Sequence, residues 1–403
     1  MSAPETVLRI AAKGDGVTSM GRHIRGAVPG DMIAAGGAIK PGPNRVEAPC
    51  RHFERCGGCQ LQNANEAALT EFVTSRVLNA AQGQQLVAQE IMATHLSPPQ
   101  SRRRATLHGL RTQKGAVLGY RESGSHKIVD LHECPVLAPA LTALFPSLRR
   151  FISKHGGKGD VTIEMALSDQ GVDVSLGNIV LDGLEATEAA LDYARDDGLA
   201  RLCINQGYGP ETVWEPEPVT IRLSGVAVPM PSGAFLQATQ DAQERLVTDA
   251  SDWLEGAGFI ADLFAGLGTF AFGLRASGLG SGRKVLGVEA DRAAHLAFKS
   301  AAGRAGGGLH ALHRDLFRNP LQPDELNRFD AAILDPPRAG AKAQIEQIAQ
   351  SELERVVYIS CNPSSWSRDA ATLANAGFSL EKLRPVGQFR WSTHVELASL
   401  FTR

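Results

Sequence analysis

From about residue 240 to the carboxyl terminus, short apolar runs alternate with helical stretches, and nothing else in the chain restricts its fold so tightly. FIADLFA, KVLGVEA, LHALHRDL, FDAAILD and RVVYISC read as strands, while TFAFGLRAS, DRAAHLAFKSAAGRA, AKAQIEQIAQSE and SWSRDAATLANAG have helical spacing. Parallel neighbours need a crossover long enough to hold a helix, so this alternation predicts an α/β domain, a parallel sheet covered on both faces. Two closing runs, near 379–389 and 395–402, have no helix between them and read as an antiparallel hairpin at the sheet edge.

The upstream half is built differently. VLRIA, HIRGAV and DMIAA, broken by Gly14, Gly16, Gly21 and Gly30, predict a small β module, and GGAIKPGPNRVEAP reads as a linker. Helical spacing follows over Asn65–Ala81. Residues 103–129 read as strands, and 160–177 as a hairpin turning at Asp169-Gln170-Gly171. The expected division is 1–45, a short β module; 46–225, an α+β region whose helix near 62–82 packs on the last domain; and 226–403, the α/β domain. The longest uncharged stretch near the middle, Leu263–Leu274, has 12 residues, well short of the ~20 that span a membrane. With no leader-like amino terminus, the expectation is a cytoplasmic protein without membrane contact.

The 41 Lys and Arg against 43 Asp and Glu exclude a globally basic nucleic-acid binder. A local patch remains: Arg102, Arg103, Arg104, Arg111, Lys114, Arg121 and Lys127 face a single acid, Glu122. A solvated strand face is the plainer reading of such a run.

Six cysteines are present, and four have ligand-like spacing: Cys50, Cys56 and Cys59 in CRHFERCGGC, then Cys134 in ECP. Four soft thiolates in a reducing compartment suit an iron–sulfur cluster or tetrahedral zinc better than disulfides. Cys203, in RLCIN, reads as a small core residue.

Ligands of open α/β sheets lie outside the carboxyl ends of the strands. DLFAGLGTF (262–270) ends the first strand, where Gly266 and Gly268 would let backbone approach a ligand. Glu289, 23 residues after Gly266, ends the second strand, where an acid accepts from ribose hydroxyls. The third glycine of a dinucleotide site is missing, so a nucleoside cofactor without phosphates, such as S-adenosylmethionine, fits better. Asp315 and Asp335 end the third and fourth strands, and Cys361 ends the fifth, in YISCNP. A thiol there suits reversible addition to an electrophilic carbon such as C6 of uracil, which would turn C5 into a methyl acceptor. A base must then remove the C5 proton: Glu396, flanked by apolar residues, is one candidate and His394 another. Arg338 or a helix amino terminus would help the thiol ionise.

With these residues assembled, the chain resembles the RNA uracil-C5 methyltransferase family, in particular its iron–sulfur branch acting on 23S ribosomal RNA. CRHFERCGGCQLQ, ECP, FLQAT, DLFAGLGTF, GVEA, DPPRAG, ISCNP and HVELASLFTR carry the resemblance. It implies a Rossmann-like class I S-adenosylmethionine-dependent methyltransferase domain, an α+β iron–sulfur domain and a shortened TRAM-like β barrel. Cys361 would then be the nucleophile and Glu396 the base. Gln237, Phe264, Glu289 and Asp335 would surround S-adenosylmethionine and the target base, and Cys50, Cys56, Cys59 and Cys134 would hold a structural [4Fe-4S] cluster. The partner implied is 23S ribosomal RNA, met by a monomer. Thr239 stands where the family has asparagine after FLQ, and 18 residues between Asp31 and Cys50 are too few for a complete five-stranded barrel. Alternatives are a metal-bearing RNA-binding protein with an inert methyltransferase fold, against which Cys361 and Glu396 argue together, and the same chemistry on cytosine or transfer RNA.

Overall fold

The computed structural model describes residues 4–277 and 282–403. At the amino terminus β1 (Glu5–Ile10), β2 (Gly16–Thr18), β3 (His23–Ile24), β4 (Met32–Ile33) and β5 (Ile39–Lys40) form one sheet in the order β3-β2-β1-β4-β5. The module therefore has five strands by residue 40, and they form an open sheet in which β3 and β5 are the edges, not a closed barrel. Strands of two residues need little chain, and β5 occupies part of the stretch read as linker. A register shift between Val7 and Arg9 lets β1 serve both halves, pairing with β4 at its start and β2 at its end. Buried Asp31 fastens the module to the segment after β5, accepting from the Val28 amide at 2.8 Å, the Gly42 amide at 2.9 Å and the Arg45 guanidinium at 2.6 Å.

Asn65 caps α1 (Glu66–Gln82), its side chain accepting from the Ala68 amide at 2.9 Å. The apolar stripe Leu69, Phe72, Val73 and Val77 is buried in one core with Tyr358, Trp366 and Phe401. The helix thus packs on the last domain. Two short strands, β6 (Glu90–Ile91) and β7 (His95–Leu96), come next and extend that domain's sheet.

The middle holds β8 (Arg104–Thr112), β9 (Gly115–Gly119), α2 (Pro139–Ala143), α3 (Phe145–His155), β10 (Asp160–Ser168), β11 (Gly171–Gly177), α4 (Gly183–Asp196), β12 (Arg201–Asn205) and β13 (Pro210–Trp214). Its sheet runs β13-β12-β11-β10-β8-β9, with β11 and β12 parallel across α4. Alternating Val161, Ile163 and Met165 are buried against Phe145, Leu148 and Ile152 of α3. Cys203 is 1% exposed in this sheet, a core residue.

A hairpin, β14 (Thr220–Leu223) and β15 (Val226–Pro229), leads to α5 (Gln240–Trp253). Then come β16 (Phe259–Leu263), α6 (Thr269–Ser277), β17 (Lys284–Glu289), α7 (Arg292–Arg304), β18 (Leu309–His313), α8 (Pro323–Leu326), β19 (Ala331–Leu334), α9 (Lys342–Gln350), β20 (Arg355–Ser360), α10 (Pro363–Asn375), β21 (Ser379–Gly387) and β22 (Glu396–Thr402). The sheet order is β18-β17-β16-β19-β20-β22-β21-β6. β16 to β20 are parallel, and β22 enters antiparallel between β20 and β21. The closing hairpin is not the sheet edge, because β6 and β7 pair with β21. Among the described residues no helix is long and apolar enough to cross a membrane.

Candidate functional site

The chain leaves β16 toward β17 and β18 on one side and returns to β19 on the other, which opens a crevice at the carboxyl ends of these strands. Phe264 follows β16 with φ 65°, a left-handed backbone that costs an aromatic residue about 1–3 kcal/mol. The loop is pinned on both sides: the Ala265 amide donates to Val288 O at 3.0 Å, and the Asp335 amide to Leu263 O at 3.3 Å. Glu289 accepts from the Gly266 amide at 2.8 Å and the Asp291 amide at 2.7 Å, so its carboxylate is oriented and keeps further lone pairs for a ligand.

The two glycines differ. A Cβ on Gly266 would meet open space, whereas one on Gly268 would stand 2.5 Å from the Phe298 ring. Gly266 therefore borders the crevice, and Gly268 is required by packing. Asp262, fully buried, accepts from the Ala271 amide of α6 at 2.8 Å, and burial pushes its carboxyl up to about 7. Asp315 is occupied locally, accepting from the Phe317 amide at 2.9 Å.

Cys361 and Glu396 meet through strand register. Ser360 pairs with Leu397 and Ile359 with Ala398, so one further step sets Cys361 opposite Glu396, on the same face of the sheet. Glu396 is 5% exposed and its Oε2 has no hydrogen-bond partner. Burial pushes its carboxyl up to about 7 against the opposing pull of Gln388, Arg104 and Arg338. Cys361 is half-buried, and its thiol is raised by burial and by Glu396 and Asp335, with Arg338 lowering it. Arg338 thus helps the thiol without outweighing the carboxylates. Asp335 is raised too, by burial and then by Glu396. Gln237 donates to Asp335 Oδ2 at 2.8 Å and accepts from Gln388 Nε2 at 3.1 Å, while Gln388 Oε1 accepts from the Ala238 amide at 2.9 Å. Gln388, which stands in none of the motifs quoted above, joins the FLQAT segment to Glu396. His394 lies 3.5 Å from the Arg338 guanidinium, and partial desolvation of its ring, then Arg338, lower its pKa.

The basic run is divided: Arg111, Lys114 and Lys127 are exposed, as a solvated strand face would have them, whereas Arg102, Arg103 and Arg104 turn inward. Arg103 is 5% exposed and donates to Gln237 O at 2.9 Å and Gln243 Oε1 at 2.6 Å, so the central sheet grips the segment that carries Gln237. The Arg104 guanidinium lies 4.6 Å from the centre of the exposed Phe235 ring and acts electrostatically on both Glu396 and Cys361. Arg102 covers Phe389 at 5.2 Å. Thr239 caps α5, accepting from the Ala242 amide at 3.3 Å, and its hydroxyl lies 2.8 Å from that of Ser97.

Cys50, Cys56, Cys59 and Cys134 line one cavity with Arg102 and Tyr120, and none is in a disulfide. Burial raises all four thiols, Cys59 to about 12, and repulsion from neighbouring cysteines adds to the rise at Cys56, Cys59 and Cys134. Among the described residues no group of three or more His, Cys, Asp or Glu is arranged to hold a metal ion. The Cys59 loop reaches the loop between β21 and β22 directly: the Gln60 and Leu61 amides donate to Trp391 O at 2.8 and 2.9 Å, and the Thr393 amide donates to Gln60 Oε1 at 3.3 Å.

A family model described as tRNA (Uracil-5-)-methyltransferase matches residues 313–403. An RNA methyltransferase of Zymomonas mobilis is 46% identical over 398 residues, covering 98% of this chain and 99% of its own. The 23S rRNA (uracil(1939)-C(5))-methyltransferase RlmD of Pectobacterium atrosepticum is 32% identical over 373 residues, covering 90% of this chain and 81% of its own. The crystal structure of Pyrococcus abyssi tRNA (uracil-54, C5)-methyltransferase in complex with S-adenosyl-L-homocysteine has the same fold, with a TM-score of 0.76 at 21% identity over 99% of this chain and 100% of that one.

Proposed function

This chain belongs to the RNA (uracil-5-)-methyltransferase family, and from that premise we propose that it methylates C5 of a uridine in 23S ribosomal RNA, with Cys361 as nucleophile and Glu396 as base. The observation that carries the reading is the strand register that brings these two residues together, with Glu396 buried and one carboxylate oxygen unpartnered. S-adenosylmethionine, when bound across the crevice at Phe264, Glu289 and Asp335, supplies an electrophilic methyl group.

The residues of the chain do the rest. Ionised Cys361 adds to C6 of uracil, and the electron pair displaced onto C5 attacks the methyl carbon, whose bond to sulfur breaks. Glu396 then takes the C5 proton, the C5–C6 double bond re-forms and the C6–sulfur bond breaks, returning Cys361 as thiolate. A carboxyl poised near 7 is matched to this step, basic enough to accept a carbon-bound proton and substantially ionised at neutral pH. Gln237 and Gln388 hold the acids in place, and Arg104 and Arg338 offset their negative charge.

Cys50, Cys56, Cys59 and Cys134 are proposed to hold a [4Fe-4S] cluster, whose cationic iron would offset the charge of four buried thiolates. Four free thiols bordering one cavity are the observation behind this reading. Four cysteine ligands leave no iron open to a sulfonium, so its role is structural. RlmD of Pectobacterium, named for its action on 23S rRNA, supports ribosomal over transfer RNA as the substrate.

The test is transfer of labelled methyl from S-adenosylmethionine to 23S ribosomal RNA, followed by mass mapping of the product. One 5-methyluridine is expected, and none with Cys361→Ala. Full turnover by that variant would overturn the assignment.

A further inference from the structure

The basic run does not end at the active site. β8 begins there with Arg104 and carries Arg111 near its other end, seven residues and ~23 Å away at ~3.3 Å per residue. At that far end lies an open groove of about 670 Å³, bordered by Arg111, Lys154, His155 and Lys158, with Asp182 as the acid in its lining.

The groove is built rather than incidental. Its floor is the loop His155-Gly156-Gly157-Lys158-Gly159, between α3 and β10. Asn178, at φ 60°, clamps this loop by donating to Lys158 O at 2.9 Å and Asp160 O at 3.1 Å, while the Gly157 amide donates to Asn178 O at 2.9 Å. A Cβ on Gly157 would stand 2.4 Å from Asn178 Oδ1, so the close approach of the two loops requires glycine. Lys154 and Lys158 are exposed and have no carboxylate partner among the ion pairs of the described residues. Beside the clamp, where the Asn178 amide donates to Asn205 O, the β12–β13 turn lifts Tyr208 into solvent, 98% exposed between Gly207 and Gly209. Exposed lysines on a fixed backbone, next to an uncovered aromatic ring, suit a polyanion with stacking faces.

We propose that this groove is a second RNA-docking site, binding phosphates and an unpaired base of the substrate at the far end of β8, about 23 Å along the strand from Arg104. It rests on the uridine-methylating reading only for the identity of the RNA. It would let the enzyme grip a structured RNA at two points, so that selection of the uridine depends on the surrounding fold as well as on the flipped base.

The experiment compares the native chain with Lys154→Gln/Lys158→Gln and with Tyr208→Ala. Each is tested on a ribosomal RNA fragment extending well beyond the uridine and on a short oligonucleotide around it. For the long fragment the double variant should bind about tenfold more weakly near 150 mM salt, with the slope of log affinity against log salt reduced by about 1.5 for two lost phosphate contacts. Tyr208→Ala should weaken long-fragment binding with no change in that slope. Binding and methylation of the short oligonucleotide should stay as in the native chain. Unchanged binding of the long fragment would overturn the proposal, and so would equal losses on both RNAs. Because binding is read apart from methyl transfer, absence of methylation with every RNA would reject the uridine reading while leaving the groove to be judged by the binding data.

Discussion

Replacing Glu396 by Gln removes a buried ionisable group without changing its shape, and the consequence for stability can be worked out. Burial raises the folded-state value from the ordinary 4.5 to about 7. Between those values the folded chain holds a proton that the unfolded chain has released, so stability falls as pH rises through the window. Above pH 7 the full cost is present, 2.5 units at 1.36 kcal/mol each, or about 3 kcal/mol. Glutamine never carries that charge. E396Q should therefore match the native chain near pH 4.5 and exceed it by about 3 kcal/mol above pH 7.5, a rise on the order of 8 °C in melting temperature for a domain of this size. Thermal unfolding of both proteins at several pH values between about 4.5 and 8 measures it. A difference that stays flat with pH, or a variant that loses ground as pH rises, would refute the claim that this carboxyl is buried and destabilising when ionised.

Further expectations concern activity and assembly. The Cys361→Ala chain should lose methyl transfer by at least about 10³-fold while still binding S-adenosylmethionine, read by equilibrium binding. Log kcat/KM should rise with pH through about 7, because Glu396 must be ionised and Cys361 must reach its thiolate; a profile falling over that range would point to another base. Arg103→Met should cost about 2–4 kcal/mol, because Gln237 O and Gln243 Oε1 lose their donor in a buried site, and should raise KM for the cofactor by loosening Gln237. Protein isolated without oxygen should be brown with about four iron and four sulfide per chain, and Cys59→Ser should lose the colour.

The site residues most legible in the sequence share one physical property: they stand at the ends of regular strands. Phe264, Glu289, Asp335 and Cys361 lie at the ends of β16, β17, β19 and β20, where the alternation of strand and helix alone aligns them on one rim. The features that escaped depend on contacts between distant segments. Arg104 reaches Cys361 and Glu396 because Arg103 grips Ala238 and Gln237, more than 130 positions away in sequence, and no local pattern encodes that docking. Gln388 is a single polar residue whose partners lie 150 positions earlier. Strands of two residues, β4 to β7, show no periodicity, so the fifth strand of the first module passed for linker and the real edge of the large sheet was missed. Gly268 resembled Gly266 in sequence, and only the Phe298 ring behind it separates packing from ligand approach.

The covalent step is tested most directly with RNA carrying 5-fluorouridine at the target position, because fluorine at C5 leaves Glu396 no proton to remove and so blocks release of the sulfur. Incubation with S-adenosylmethionine should give a protein–RNA complex that survives denaturation, bears one transferred methyl group, and yields after digestion a uridine-modified peptide containing Cys361. Efficient methylation of the natural RNA with no such complex, or attachment at any other cysteine, would contradict catalysis through Cys361.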